Sequence, residues 1–165
     1  MMGRFVVMGV SGCGKSRIGR DFARVIGARF FDGDDLHPRR NIEKMSMGEP
    51  LSDADRAPWL DRVGGTLRHS GTVVACSALR RCYRDGIVDA ASAPVTYLFL
   101  RGQRETLWAR MTRRDGHFMP PALLDSQLAT LEVPGPDKLC VIADIEAAPQ
   151  AIVASFLAGL LEKTA

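Results

Sequence analysis

No stretch of this 165-residue chain approaches the ~20 consecutive apolar residues that a membrane-spanning helix needs, so a membrane protein is not expected. Residues Met1-Met2-Gly3-Arg4 lead straight into an apolar segment, which leaves no room for a secretory signal. Cysteine is sparse and unpatterned. Cys13, Cys76, Cys82 and Cys140 form no C-x-x-C pair and no framework spacing, as expected of reduced thiols in a cytoplasmic protein, with Cys76 and Cys140 expected in buried strands. An aromatic share of 7% is too low to interleave with basic residues as a base-stacking surface, and a net charge of +3 is too mild to argue for nucleic acid. Lysine is scarce too: only Lys15, Lys44, Lys138 and Lys163 occur, so 18 of the 22 basic residues are arginine. Several arginines cluster, at Arg39-Arg40, at Arg80-Arg81 with Arg84, and at Arg110, Arg113 and Arg114. Their planar forks suit phosphates and carboxylates, although solvated helix faces account for many of them. Asn-Lys-x-Asp, the guanine-reading motif, is absent. No apolar strand ending in Asp resembles the Walker B of a motor ATPase, and the formal D-x-x-G at Asp61-Arg62-Val63-Gly64 falls within an expected helix. A GTPase switch is disfavoured.

What is present is an ordinary globular composition, 46% hydrophobic and 25% charged, at a length suited to one domain spanning residues 1–165. Gly9-Val10-Ser11-Gly12-Cys13-Gly14-Lys15-Ser16 fits G-x-x-x-x-G-K-[ST], the loop whose backbone N–H groups wrap a phosphate at a helix N-terminus. An apolar segment precedes it and a helical pattern follows. Strands are expected near 4–8, 29–31, 72–76, 95–100 and 139–143. Helices are expected near 15–26, 39–47, 79–91, 104–114, 122–131 and 150–161, with a further one capped by Ser52 or Asp53 and turning Trp59, Leu60, Val63 and Leu67 inward. Strands alternating with helices give a three-layer α/β P-loop NTPase fold around a parallel five-stranded sheet. No repeat or linker interrupts it.

Within the loop, Lys15 is expected to bridge the β- and γ-phosphates of a nucleotide and the Ser16 hydroxyl to bind Mg²⁺. Gly9, Val10, Ser11, Gly12, Cys13 and Gly14 supply the backbone of the cradle, Cys13 through its N–H alone. Asp32, Asp34 and Asp35 follow the second strand, at the sheet edge where α/β proteins bind ligands. Two carboxylates one residue apart can divide the work of supporting a metal and orienting an attacking hydroxyl, or can simply cap the next turn. Arg110, Arg113, Arg114 and His117 surround a helix break, where arginines on a closing segment neutralise transition-state charge. A small phosphotransferase is what these features leave.

Beyond the P-loop, further blocks point the same way. They are Asp32-Gly33-Asp34-Asp35-Leu36-His37-Pro38-Arg39-Arg40-Asn41-Ile42-Glu43-Lys44-Met45, then Gly48-Glu49-Pro50-Leu51-Ser52-Asp53, Asp55-Arg56 and Pro58-Trp59-Leu60. Cys76-Ser77-Ala78-Leu79-Arg80-Arg81, Tyr83-Arg84-Asp85, Gly116-His117-Phe118-Met119 and Ser126-Gln127-Leu128 through Pro134 continue the series. In this order the blocks closely resemble the P-loop gluconate kinases. The resemblance implies ATP-dependent, Mg²⁺-assisted phosphorylation of D-gluconate at its 6-hydroxyl, on a nucleoside-monophosphate and shikimate kinase-like fold with a helical lid at approximately 110–131. It implies Asp32 supporting the metal through water, Asp34 holding and deprotonating the hydroxyl, and lid arginines Arg110 and Arg114 acting in catalysis. It leaves His37, Arg40, Lys44, Arg56, Arg81 and His117 as substrate candidates without choosing which cation grips the carboxylate. The 129–134 loop and residues 145–149 are expected beside the adenine, and a homodimer is implied by family habit.

Overall fold

The computed structural model describes residues 2–113, 121–135 and 139–164. Strand β1 (Arg4–Met8) feeds the Gly-rich loop and helix α1 (Lys15–Ile26); β2 (Arg29–Asp32) ends in a 3₁₀ turn over Gly33–Leu36. Helices α2 (Arg39–Ser46) and α3 (Asp53–Thr66) precede β3 (Thr72–Ala75). Then come α4 (Arg81–Ala91), β4 (Thr96–Arg101), α5 (Arg104–Thr112), α6 (Pro121–Thr130), β5 (Cys140–Asp144) and α7 (Pro149–Thr164). Among the described residues no helix is long and apolar enough to cross a membrane.

All five strands run parallel, in the order β2-β3-β1-β4-β5. Burial on both faces explains their unbroken apolar character, because successive side chains point to opposite sides. Phe5 and Val7 join Phe22, Leu107 and Phe156 on one face. Val6 and Met8 join Trp59, Val63, Ile87 and Tyr97 on the other. The inward set expected of α3 is buried as read, and Asp61–Gly64 lies inside that helix.

Two expectations need adjusting, and the strand order adds a third point. β3 lies between the first two strands. This order makes the crevice at the carboxyl ends of β1 and β3 the switch point, where α/β sheets take ligands. Next, α4 begins two residues later than expected, because residues 76–80 make an irregular passage with Ala78 at φ 44. Lastly, β5 runs to Asp144, so that β5, like β2, ends in Asp; the Asp144 carboxylate turns to the Glu146 N–H and to Arg101 at the sheet's edge. Cys76 sits buried just beyond β3, its thiol pushed up to about 12 by desolvation, while Cys140 is only half-buried within β5.

Arg84 departs from both uses foreseen for the arginines. It is 1% exposed inside α4, and its Nη1 donates to the Ala78 and Leu79 carbonyls at 2.8 and 3.1 Å. The Tyr97 hydroxyl in turn donates to the Arg84 carbonyl at 2.9 Å. This buried cation pins the passage after β3. Replacing it by leucine takes the side-chain donor from the Ala78 carbonyl and leaves the Leu79 carbonyl only the Glu132 N–H, at a cost of about 2–3 kcal/mol. Arg84→Leu is therefore expected to melt roughly 5–10 °C lower in a calorimetric scan.

Candidate active site

The loop after β1 closes through glycines that no other residue replaces comfortably. Gly14 stands at φ 90 immediately before α1. Gly12 stands at φ 83, and a Cβ there would lie 2.9 Å from Met111 Cγ of α5. The first turn of α1 holds no acidic residue, so its N-terminal field is left for an anion. Lys15 folds back to its own loop, donating from Nζ to the Val10 carbonyl at 3.2 Å. Ser16 Oγ donates to Asp32 Oδ2 at 2.6 Å. The other oxygen of Asp32 accepts from the Asp34 N–H at 3.1 Å, capping the 3₁₀ turn. A cleft of about 250 Å³ lies between these groups, lined by Ser11, Lys15, Ser16, Asp32, Asp34 and Met111.

Ser16 and Asp32 form a pair of hard oxygen donors suited to a small divalent cation. Among the described residues no group of three or more His, Cys, Asp or Glu assembles. A cation there must draw its remaining ligands from water and phosphate oxygens, which is the habit of Mg²⁺. The residues fit that ion.

Across the cleft, the 3₁₀ turn is held by α3. Trp59 Nε1 donates to the Gly33 carbonyl at 2.7 Å, and His37 stacks on the Trp59 ring at 4.2 Å and 12°. Asn41 Nδ2 lies 3.3 Å from His37 Nδ1 and also donates to the Asp55 carbonyl at 2.8 Å. Burial pulls the His37 pKa down; the Asp34 charge opposes this and Arg56 adds to it. The ring is thus neutral near pH 7, with Nδ1 free to accept from Asn41. Arg56 also lines a second pocket.

That pocket, about 480 Å³, is lined by Asp53, Arg56, Arg80, Tyr83, Thr130 and Glu132. Arg56 and Arg80 lie over the Tyr83 ring at 5.5 and 5.6 Å. The Tyr83 hydroxyl donates to one oxygen of Asp53 at 2.7 Å, and Arg80 donates to the other at 3.2 Å. The structure thus holds a phosphate cleft backed by carboxylates and a separate pocket with two arginines.

Comparison with known proteins agrees. The sequence pattern of the family described as SKI: Shikimate kinase matches residues 11–134. The thermosensitive gluconokinase of Escherichia coli K12 is 48% identical over 143 residues, covering 84% of this chain and 76% of that protein. The gluconokinase of Gluconobacter oxydans 621H is 45% identical, covering 90% and 85%. The crystal structure of a gluconokinase from Sinorhizobium meliloti 1021 superposes with a TM-score of 0.89 at 46% identity, covering 97% and 92%. The chain belongs to the gluconokinase family.

The residues singled out in the sequence are placed unevenly. Lys15, Ser16, Asp32 and Asp34 meet at one cleft. His37 is 9% exposed and packed on Trp59. Arg40 and Lys44 both reach Asp55, at 3.3 and 2.8 Å, and so tie α2 to α3. Arg56 lines the diarginine pocket, and its Nη1 also donates to the Leu51 carbonyl at 2.6 Å. Arg81 points elsewhere: its backbone N–H donates to Glu132 at 2.5 Å while its side chain, 63% exposed, approaches Asp85 at 3.9 Å. The arginine that lines the pocket is its neighbour Arg80. Arg110 donates to the Ile145 carbonyl at 2.6 Å, which turns it toward the loop after β5. Arg114 and His117 lie outside the described residues, as does the middle of the expected lid. Sequence reading passed over Arg80, Tyr83 and Asp55 as site residues; only Asp55 carries a usable signal, the S-x-x-D spacing of a capping box.

Asp55 is 5% exposed and accepts from Lys44 Nζ, the Ser52 N–H and the Ser52 hydroxyl. Led by the Lys44 hydrogen bond, these hold its carboxyl well below the usual range. A carboxyl depressed on folding stabilises the protein above its unfolded pKa and loses that contribution as pH falls toward the folded value. Asp55→Asn is expected to melt well below the parent at pH 7, and the gap should narrow as thermal scans are taken below about pH 4. A gap independent of pH would remove charge from the explanation.

Proposed function

We propose that this gluconokinase transfers the γ-phosphoryl group of ATP to the 6-hydroxyl of D-gluconate. The observation that carries this reading is the Ser16–Asp32 hydrogen bond beside Asp34 in the phosphate cleft. The relatives' names supply the acceptor.

In this reading the backbone of residues 9–16 and Lys15 hold the triphosphate, and Ser16 and Asp32 hold Mg²⁺. The ion, when bound, supplies charge neutralisation to the β- and γ-phosphates. Arg56 and Arg80 grip the carboxylate end of the acceptor, with neutral His37 offering a polar edge to its hydroxyls. Arg40 and Lys44 act through Asp55 by fixing α2 against α3. Asp34 accepts the proton of the 6-hydroxyl as its oxygen attacks phosphorus in line. The new O–P bond forms as the bond to the β-phosphate bridging oxygen breaks, and that electron pair leaves with ADP. Arg110, Arg114 and His117 are assigned to the closing side, where arginines offset charge on the transferring group.

The test is ADP release with ATP·Mg²⁺ and a panel of acceptors: gluconate, other aldonates, shikimate, glycerate and nucleoside monophosphates. Turnover confined to gluconate is expected, and preference for any other acceptor overturns the substrate assignment. In the same assay Asp34→Asn is expected to lower kcat by about 10²–10⁴ while ATP binding persists, the range set by loss of a general base. A near-normal kcat removes Asp34 from proton transfer.

Arg80 and Arg81 are told apart by kinetics. Losing a charge-assisted fork to a carboxylate raises KM for gluconate by roughly 10–100-fold in Arg80→Ala. Arg81→Ala, whose side chain faces Asp85, is expected to leave that KM within about threefold.

A further inference from the structure

Helix α6 touches both halves of the site at once. Near its middle, Gln127 makes a reciprocal pair of hydrogen bonds with Ser11 at the head of the phosphate loop. The Ser11 N–H donates to Gln127 Oε1 at 2.7 Å, and Gln127 Nε2 donates to Ser11 Oγ at 3.1 Å. Past its C-terminal end, the Glu132 N–H donates to the Leu79 carbonyl at 2.8 Å and the Glu132 carboxylate takes the Arg81 N–H. Thr130 and Glu132 are themselves walls of the diarginine pocket. The helix between these points is firmly seated. Leu124 is fully buried in the core, and Asp125 accepts the Arg104 fork at 2.6 and 3.0 Å.

We infer that Gln127 is a positioning residue that holds the Ser11 peptide and links occupancy of the phosphate loop to the wall of the acceptor pocket. The inference rests on the phosphoryl-transfer reading for its benefit to catalysis, and on geometry alone for the link. A primary amide suits the task because one planar group carries the acceptor that the Ser11 N–H needs and a donor for the Ser11 hydroxyl. The two residues are 116 positions apart in sequence, so the contact is tertiary and fixes the loop from outside itself. The next residue, Gly12, approaches α5 so closely that a Cβ there would meet Met111, so the loop head lies against two helices. A loop that must present several N–H groups to phosphate gains from being fixed beforehand, since misplacement of the donors costs rate more than binding.

The test uses the full-length protein and hydrogen exchange with a non-hydrolysable ATP analogue and Mg²⁺. In the parent, the analogue is expected to slow exchange across residues 122–132 by about tenfold or more, a typical strength for coupled sites. Gln127→Met keeps the side chain's length and removes both hydrogen bonds. It is expected to reduce that response in α6 to less than about twofold and to lower kcat about tenfold, with KM for ATP changing less. The Ser11 amide should exchange faster in Gln127→Met, having lost its acceptor, while protection of residues 12–16 by the analogue and the melting temperature stay close to the parent's. Gln127→Glu, which keeps an acceptor for the Ser11 N–H, should fall between the two. An α6 response in Gln127→Met equal to the parent's, or a Gln127→Glu variant indistinguishable from it, overturns the link. Parent gluconate turnover is measured on the same preparations. Its absence counts against the acceptor assignment and not against Gln127, because the exchange readout needs only the nucleotide analogue.

Discussion

The hydrogen bond from Ser16 to Asp32 closes a span that the strand order leaves open. Ser16 opens α1 directly after β1, whereas Asp32 ends β2, and β3 lies between those two strands. At 2.6 Å the contact brings the end of an outer strand to the N-terminus of the helix that follows the central one. A helix N-terminus carries positive potential and unpaired N–H groups, so a carboxylate placed there is stabilised, and a second anion arriving beside it calls for a cation between them. The same Asp32 caps the 3₁₀ turn through the Asp34 N–H and thereby sets where Asp34 stands. One carboxylate thus fixes both the proposed metal site and the place of the group proposed as base.

From that point the support spreads outward through backbone carbonyls. Trp59 reaches the Gly33 carbonyl, His37 lies on Trp59, Asn41 joins His37 to the Asp55 carbonyl, and Lys44 and Arg40 end on the Asp55 side chain. The chain of contacts crosses from β2 to α3 to α2 with polar groups that are mostly buried, where an unmade hydrogen bond is costly. Opposite it, Arg84 holds the passage after β3 by two carbonyls, and Glu132 fastens the end of α6 to the same passage. Both walls of the cleft are held by donors reaching carbonyls, a form of support that hydrophobic pattern does not encode.

This division explains what could be read from the sequence. The P-loop, the helix that follows it and the five strands were legible because each is a local pattern: glycine spacing, a 3.6-residue period or an unbroken apolar run. Asp32 and Asp34 were legible because they stand at a strand's carboxyl end in a parallel sheet. The position of β3 between β2 and β1 was not, since strand order is a long-range choice that neither strand's residues spell out. Arg81 was singled out where Arg80 lines the pocket, because adjacent arginines are indistinguishable until α4 is known to begin at Arg81, which turns that side chain along the helix toward Asp85. Arg40 and Lys44 drew attention as cations for a substrate, while the carboxylate that occupies them, Asp55, looked only like part of a helix cap.

Asp53 gives the diarginine pocket a further property. Its carboxylate accepts from the Tyr83 hydroxyl and from Arg80 and lies 3.7 Å from Arg56. It occupies the position, among these donors, that a substrate carboxylate takes in the proposed function. The two guanidiniums are therefore held near a binding geometry before any ligand arrives, which lowers the entropic cost of ordering them. The arriving acid must nevertheless compete with Asp53 for the same forks, so its net gain is the difference between two carboxylates and not the full strength of one. An acceptor without a carboxylate offers nothing to displace Asp53 and leaves the pocket in its closed pairing. If the proposed acceptor site is right, selectivity for an acid over a neutral polyol follows from the exchange itself, because a site built around paired charges penalises any ligand that fails to supply one.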